Sequence, residues 1–189
     1  RSFDPDRVIS EIEYMVEKYQ INHVEIEDDN FTLKSRHSIP ILKYLKEFRE
    51  KGNPLKLSFP NGVMIDRLDR EHLFAMKDAG TEIIYLPVES GELKNLIAMN
   101  KPAAAEHLEN TLQVAEWCKE AELDAGAFFI IGYPGGKVVK KSLQNIVHED
   151  YADSILEQNN GSIWIKGEDE DSFMQTVDFA KKLVKAGVK

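Results

Sequence analysis

The hydrophobic period of this chain switches repeatedly between about 3.6 and about 2 residues, and few architectures accept that alternation. Asp4-Pro5 is an N-cap followed by proline in the first helical turn. Val8, Ile9, Ile12, Met15, Val16 and Tyr19 then form one apolar stripe. A strand is expected over His23 to Phe31, then a helix carrying Ile41, Leu42, Leu45 and Phe48 on one face. A second strand is expected over Leu55 to Val63, and a helix over Asp69 to Gly80, whose glycine is a natural stop. Further strands are expected over Glu82 to Ser90 and Asp124 to Gly135. Between them lie a short helix near Leu93 to Met99 and a longer one from Ala103 to Glu122. The last helix aligns Phe173, Val177, Ala180 and Val184. Helix ends repeat as MKDAG, CKEAE and LVKAG, one βα unit after another.

Strands separated by single helices pair in parallel through right-handed crossovers, so the four strands are expected side by side in chain order. Their polarity selects the kind of sheet. In a doubly wound sheet both faces of a strand are covered and read as apolar. Here Val24 and Ile26 oppose His23, Glu25, Glu27 and Asp29, and Leu55, Leu57 and Phe59 oppose Lys56 and Ser58. A polar face on a parallel strand must look onto water or a ligand, because unpaired buried charge is costly. The expected fold is therefore α/β, a partial (βα) barrel with a polar lumen.

Charge narrows the partners. The chain has 24 basic and 33 acidic residues, a net charge of −9. Such a surface repels nucleic-acid phosphates and anionic lipid. No apolar run approaches the roughly 18 residues that cross a bilayer, and the opening RSFDPDRVISEIEYM is no signal peptide. A cytoplasmic protein acting on a small molecule is expected. The single cysteine, Cys118, leaves no internal disulfide and no cysteine-only metal site. No histidine has metal-type spacing, so no metal-ligand set is assigned, and no phosphate-binding or nucleophile motif is present.

In (βα) barrels the working residues stand at the C-terminal ends of strands. Those ends are Glu27-Asp28-Asp29-Asn30, Asn61-Gly62, Glu89-Ser90-Gly91 and Gly132-Tyr133-Pro134-Gly135. Asp, Asn, Ser and Gly are also ordinary turn residues, so each end alone has a structural reading. Four polar ends together favour a ligand site. Acid–base chemistry through Glu27, Asp29 and Glu89 is one reading of it, and a noncatalytic interaction module on the same scaffold is another.

The series EIEYMVEKYQINHVEIEDDNFTL, SFPNGVMIDRLDREHLFAMKDAG, VESG and FFIIGYPG resembles the core of radical S-adenosylmethionine enzymes, most of all the group with an N-terminal cobalamin-binding domain. The resemblance covers residues 1 to about 135 and resumes at about 168. It implies reductive cleavage of S-adenosylmethionine, followed by hydrogen abstraction or methyl transfer on an unactivated substrate. It implies Glu27, Asp28 and Asp29 at the methionyl amino group, where a carboxylate suits an ammonium donor. It places Glu89 and Ser90 at the ribose and methionine portions, and Gly132 beside adenine. Asn61 and Lys56 would line the substrate side.

Two departures qualify that likeness. The family's CxxxCxxC motif gives three thiolates to a [4Fe–4S] cluster, and this chain lacks it. No cluster is expected here, Cys118 is expected to be a small buried or half-buried thiol, and cobalamin would sit on an absent domain. The chain reads as truncated before the family's first strand. Joining Gly135 to Glu168 restores the family pattern, which makes residues 136–167 an insertion of 32 residues, with barrel segments over 1–135 and 168–189. The insertion reads as an amphipathic helix (Leu143, Ile146, Val147, Ile155), an Asn160-Gly161 turn and a strand SIWIK, with His148, Glu149 and Asp150 on a solvated face. SIWIK is expected to cover the exposed edge of the His23 strand, or that edge to form a homodimer, the dimer first.

Overall fold

The computed structural model describes residues 3–28, 30–101, 103–130, 139–142, 162–165 and 170–189. Two compact units divide the chain: Arg1–Val88 with Glu106–Phe128 and Leu183–Lys189, and Glu89–Ala105 with Phe129–Lys182.

In the first unit α1 (Pro5–Tyr19) starts as the sequence predicts, the Asp4 carboxylate accepting from the Asp6 N–H ahead of proline. Its stripe is only partly covered. Ile12 is buried, Val8, Ile9 and Val16 are half-buried, and Met15 and Tyr19 are exposed. Then come β1 (His23–Glu25), α2 (Ser35–Glu50), β2 (Lys56–Ser58) and α3 (Arg70–Asp78), with the side chain of Asp69 capping α3. β3 (Ile83–Glu89), α5 (Ala104–Glu120) and β4 (Asp124–Phe129) complete it, with α4 (Leu93–Ala98) in the second unit.

β1 and β2 pair in parallel, His23 opposite Lys56 and Glu25 opposite Ser58. A parallel bridge from Leu57 to Thr81 joins β2 to the start of β3. β3 neighbours β4, with the Asp124 N–H bonded to the Glu82 carbonyl and the Ile130 N–H to the Glu89 carbonyl. Partners that rise together along both strands make that pair parallel. The expected neighbours β1–β2 and β3–β4 pair, in two separate two-stranded sheets, and the bridge at Thr81 lies just before β3.

The strands are shorter than their sequence patterns. β1 stops at Glu25, and Phe31–Leu33 is a 3-10 turn, not strand. Phe31 is buried there against Phe59, ring centroids 5.4 Å apart. Burial of one aromatic ring outweighs continuing a strand with no partner on its free edge. The alternation itself is real: Leu55, Leu57 and Phe59 are buried while Lys56 is exposed. With Ile41, Leu42, Leu45, Leu73, Met76, Ile84 and Leu86 they form the core, each such side chain contributing about 1.5–3 kcal/mol on burial.

In the second unit α6 (Glu170–Lys185) buries Thr176, Val177 and Phe179. Val184, expected on the buried stripe, is exposed. The SIWIK strand forms as β6 (Ser162–Ile165), but it pairs antiparallel with β5 (Val139–Ser142) of the same inserted segment, Val139 opposite Ile165. A hairpin partner close in sequence closes a smaller loop than a distant edge does. The insertion's expected helix and its His148-Glu149-Asp150 run lie outside the described residues.

Candidate functional site

At the C-terminal ends of β1 and β2 the first unit brings Glu27 and Asn61 together. The Asn61 amide donates to the Glu27 carbonyl at 3.0 Å and to its carboxylate at 3.2 Å. That pair fixes the exit of β1 and leaves the exposed carboxylate with acceptor capacity. Asp28 is also exposed, one oxygen accepting from the Asn30 N–H at 2.7 Å in an Asx turn. Asp29 lies outside the described residues. Gly62 follows with φ +78°, and a Cβ there would stand 2.9 Å from the Tyr85 carbonyl. Only glycine lets the β2 turn lie this close to β3.

Lys56 opens β2, at the opposite end from Asn61, and pairs with Glu82 at 2.8 Å. The Lys56 ammonium draws the Glu82 carboxyl below its ordinary value. Beside it His23 Nε2 lies 2.9 Å from Ser58 Oγ. Sequence reading missed an aromatic pair on β3 and β4. Tyr85 and Phe128 stack at 5.0 Å with planes 9° apart, and Phe128 is exposed. Their separation of 43 positions hides the contact, which only the strand register creates.

The second unit holds Glu89 and Ser90. Glu89 has φ +66°, a left-handed conformation that a non-glycine residue adopts at a cost of about 1–3 kcal/mol. Its carboxylate meets Lys101 at 2.7 Å, both side chains largely buried. Ser90 is fully buried and engaged: its Oγ lies 3.0 Å from Thr176 Oγ1 and accepts from the Glu92 N–H at 3.1 Å. Gly91 packs against α6, where a Cβ would overlap Phe179 and stand 2.8 Å from the Thr176 Cα. Thr176 and Lys101 are further residues that sequence reasoning missed. Gly132 lies outside the described residues.

Cys118 is buried as expected, and desolvation pushes its thiol up to about 12. A high-pKa thiol is a poor metal ligand. Among the described residues no three His, Cys, Asp or Glu side chains converge on a metal position, and no helix is long and apolar enough to cross a membrane.

No protein-family model matches the chain. Cytidylyl-2-hydroxyethylphosphonate methyltransferase of Streptomyces wedmorensis is 31% identical over 130 residues, which is 67% of this chain and 22% of that protein. An uncharacterized methyltransferase of Pyrococcus horikoshii is 28% identical over 134 residues, 71% of this chain and 28% of the relative. The chain thus spans about a quarter of the length of these curated relatives. Among solved structures, the radical S-adenosylmethionine methyltransferase TsrM of Kitasatospora setae, with cobalamin and a [4Fe–4S] cluster bound, superposes with TM-score 0.59 at 18% identity, covering 71% of this chain and 26% of that one. The cobalamin-dependent S-adenosylmethionine radical enzyme OxsB superposes with TM-score 0.58 at 15% identity, covering 98% of this chain and 27% of that one. The fold is thus that of cobalamin-dependent radical S-adenosylmethionine enzymes, the group the sequence resembles, and the sequence itself is similar to methyltransferases.

Proposed function

We propose that this chain is the S-adenosylmethionine-binding part of a cobalamin-dependent radical S-adenosylmethionine methyltransferase acting on a small molecule. It would be a partial (βα) barrel, with barrel segments over 1–135 and 168–189 and an insertion over 136–167. The observation that carries this reading is the 31% identity to a methyltransferase over 130 residues. The exposed carboxylates of Glu27 and Asp28 support it. They can accept the methionyl ammonium in charge-assisted hydrogen bonds, with Asp29 the adjacent acceptor. Asn61 holds Glu27 in one orientation for that contact.

For the second unit the assignment is Glu89 at the ribose and methionine portions, its orientation held by Lys101. Ser90 would shape this position through the backbone it braces, since its hydroxyl is engaged by Thr176. Gly132 would admit the adenine beside its backbone. In such enzymes the cofactor supplies the radical or the methyl group. A [4Fe–4S] cluster does not fit the residues present: the chain has one cysteine and its thiol is buried. No step through a cluster is assigned to this chain, and no residue is assigned to cobalamin.

Calorimetric titration of the 189-residue chain with S-adenosylmethionine tests the reading. Binding is expected, weakened about 10- to 100-fold in Glu27→Gln and again in Glu89→Gln, the loss of one charged hydrogen bond each. A folded chain that takes up no S-adenosylmethionine would refute the proposal. Loss in neither variant would refute the residue assignments.

A further inference from the structure

We infer that the open face of β3 and β4 seats the substrate, and that the substrate carries a flat aromatic ring, uncharged or cationic, laid on the stacked pair Tyr85 and Phe128. The inference rests on the cofactor reading above and deepens it, because it names the substrate class of the same site.

Alternation along β3 sorts its side chains onto two faces. Ile84, Leu86 and Val88 are fully buried on one, and Ile83, Tyr85 and Pro87 stand half-buried on the other. Phe128 of β4 joins this second face. Its ring lies parallel to that of Tyr85, with centroids 5.0 Å and planes 9° apart. Tyr85 covers one side of the Phe128 ring, yet Phe128 is 47% exposed. The other side of that ring is therefore open.

Two glycines hold the pair in place. A Cβ at Gly126 would stand 2.8 Å from the Tyr85 ring, too close for any side chain. Gly126 and Phe128 are two positions apart and share one face of β4, so Tyr85 lies over the first and against the second. Gly62 lets the turn after β2 approach the Tyr85 backbone, and the Val63 N–H donates to the Tyr85 carbonyl at 3.2 Å. That turn carries Asn61, which holds Glu27. The aromatic pair thus stands at the same strand ends as the Glu27–Asn61 pair.

A lone exposed apolar side chain is ordinary. Two coplanar rings seated on a glycine, with one ring face left open, are instead a stacking platform. A third ring extends such a stack in offset geometry, and a cation is attracted to the same open face. Charge selects further. The exposed carboxylates of Glu25 and Glu27, on a chain already at −9, repel an anionic ring.

The probe is benzylamine, titrated into the full chain by NMR beside cyclohexylmethylamine and benzoate. Both amines carry the same charge and the saturated one is the more apolar, so burial alone would favour it. Benzylamine is expected to bind about 2- to 10-fold more tightly than cyclohexylmethylamine, with benzoate weakest and the largest shifts at the Gly126 and Phe128 amides. Phe128→Leu should erase the preference between the amines and leave S-adenosylmethionine uptake in place. Gly126→Ala, which must displace the Tyr85 ring, should weaken benzylamine too, and if that variant does not fold Phe128→Leu still decides. Equal binding of the two amines, benzoate equal to benzylamine, or a preference that survives Phe128→Leu would overturn the inference. S-adenosylmethionine uptake without a ring preference refutes this inference alone. A ring preference in a chain that takes up no S-adenosylmethionine refutes the cofactor reading and keeps the aromatic seat.

Discussion

Ser38, His72 and Asp69 assemble the residue types of a hydrolytic triad in a place where they can perform no such reaction. Ser38 Oγ lies 3.0 Å from His72 Nε2, and His72 Nδ1 lies 2.9 Å from Asp69 Oδ1. Ser38 is 0% exposed and His72 1%, so no substrate reaches the hydroxyl. A triad is recognised by geometry and role together, and here the role is to tie α2 to α3. An active-site-directed fluorophosphonate should therefore leave Ser38 unlabelled in the folded chain, and labelling would give it a catalytic role after all. Asp69 also caps α3 through the His72 N–H at 2.8 Å. Burial pushes its carboxyl up, but the hydrogen bonds from the His72 backbone and ring, with the ring's charge, hold it below its ordinary value of 3.8. A carboxyl depressed in the folded state stabilises at neutral pH, and that stabilisation is lost as pH falls through the folded value below 3.8. Asp69→Ala should thus lose about 1 kcal/mol near pH 7, and the gap to the parent chain should narrow in acid. Urea melts at several pH values read this directly. A gap that widens in acid would contradict the assigned sign. The cap was legible in the sequence, because Asp before a helix-period run is a local signal. The tie was not, because Ser38 and His72 are 34 positions apart.

Among the elements, local chemistry was legible and partnership was not. Asp4-Pro5 and Asp69 mark their helix starts, and the alternation in Leu55, Leu57 and Phe59 gives the buried face of β2. Strand ends and pairing depend on what lies alongside, which one segment does not encode. Thus β1 gives way to the 3-10 turn at Phe31, and the SIWIK strand takes Val139–Ser142 as its neighbour. On α6 the face that is buried includes Thr176, a polar residue that apolar periodicity passes over. Its role becomes visible only beside Ser90 and Gly91. Of the candidate site, the acidic and amide strand ends were legible as residue types, but Lys101 and the strained Glu89 backbone were not. Gly91 is the sharpest test of this contact. A Cβ there would meet the Phe179 side chain and stand 2.8 Å from the Thr176 backbone, so the helix itself must shift. Gly91→Ala should lower stability by about 1–3 kcal/mol, the usual range for overpacking. Thr176→Ser, which keeps the hydroxyl bonded to Ser90, should be much milder. Chemical denaturation of both variants checks the ordering, and an innocuous Gly91→Ala would show that α6 does not depend on this approach.

For the molecule as a whole, the single cysteine provides a reporter of how the chain opens. Cys118 lies on α5 in the first unit, 2% exposed, and burial pushes its thiol up to about 12. Thiolate is the reactive form, so a thiol reagent at pH 8 should find neither access nor nucleophile in the folded state. Labelling must then pass through an opened state in which the thiol returns to about 8.5. With reclosing faster than reaction, the observed rate is the intrinsic rate multiplied by the fraction open. Leu73 is fully buried in the same unit, and Leu73→Ala leaves a cavity that costs about 2–5 kcal/mol. If Cys118 is exposed only when that core opens, Leu73→Ala should speed labelling by more than about tenfold, since 1.4 kcal/mol is one decade. Exposed positions provide the contrast: Lys43→Ala removes a pair with Glu71 in which both side chains are more than 60% exposed, and it should change the rate little. Labelling of the parent chain as fast as that of a free thiol, or a rate indifferent to Leu73→Ala, would mean that α5 opens by itself and that the core does not hold Cys118 closed.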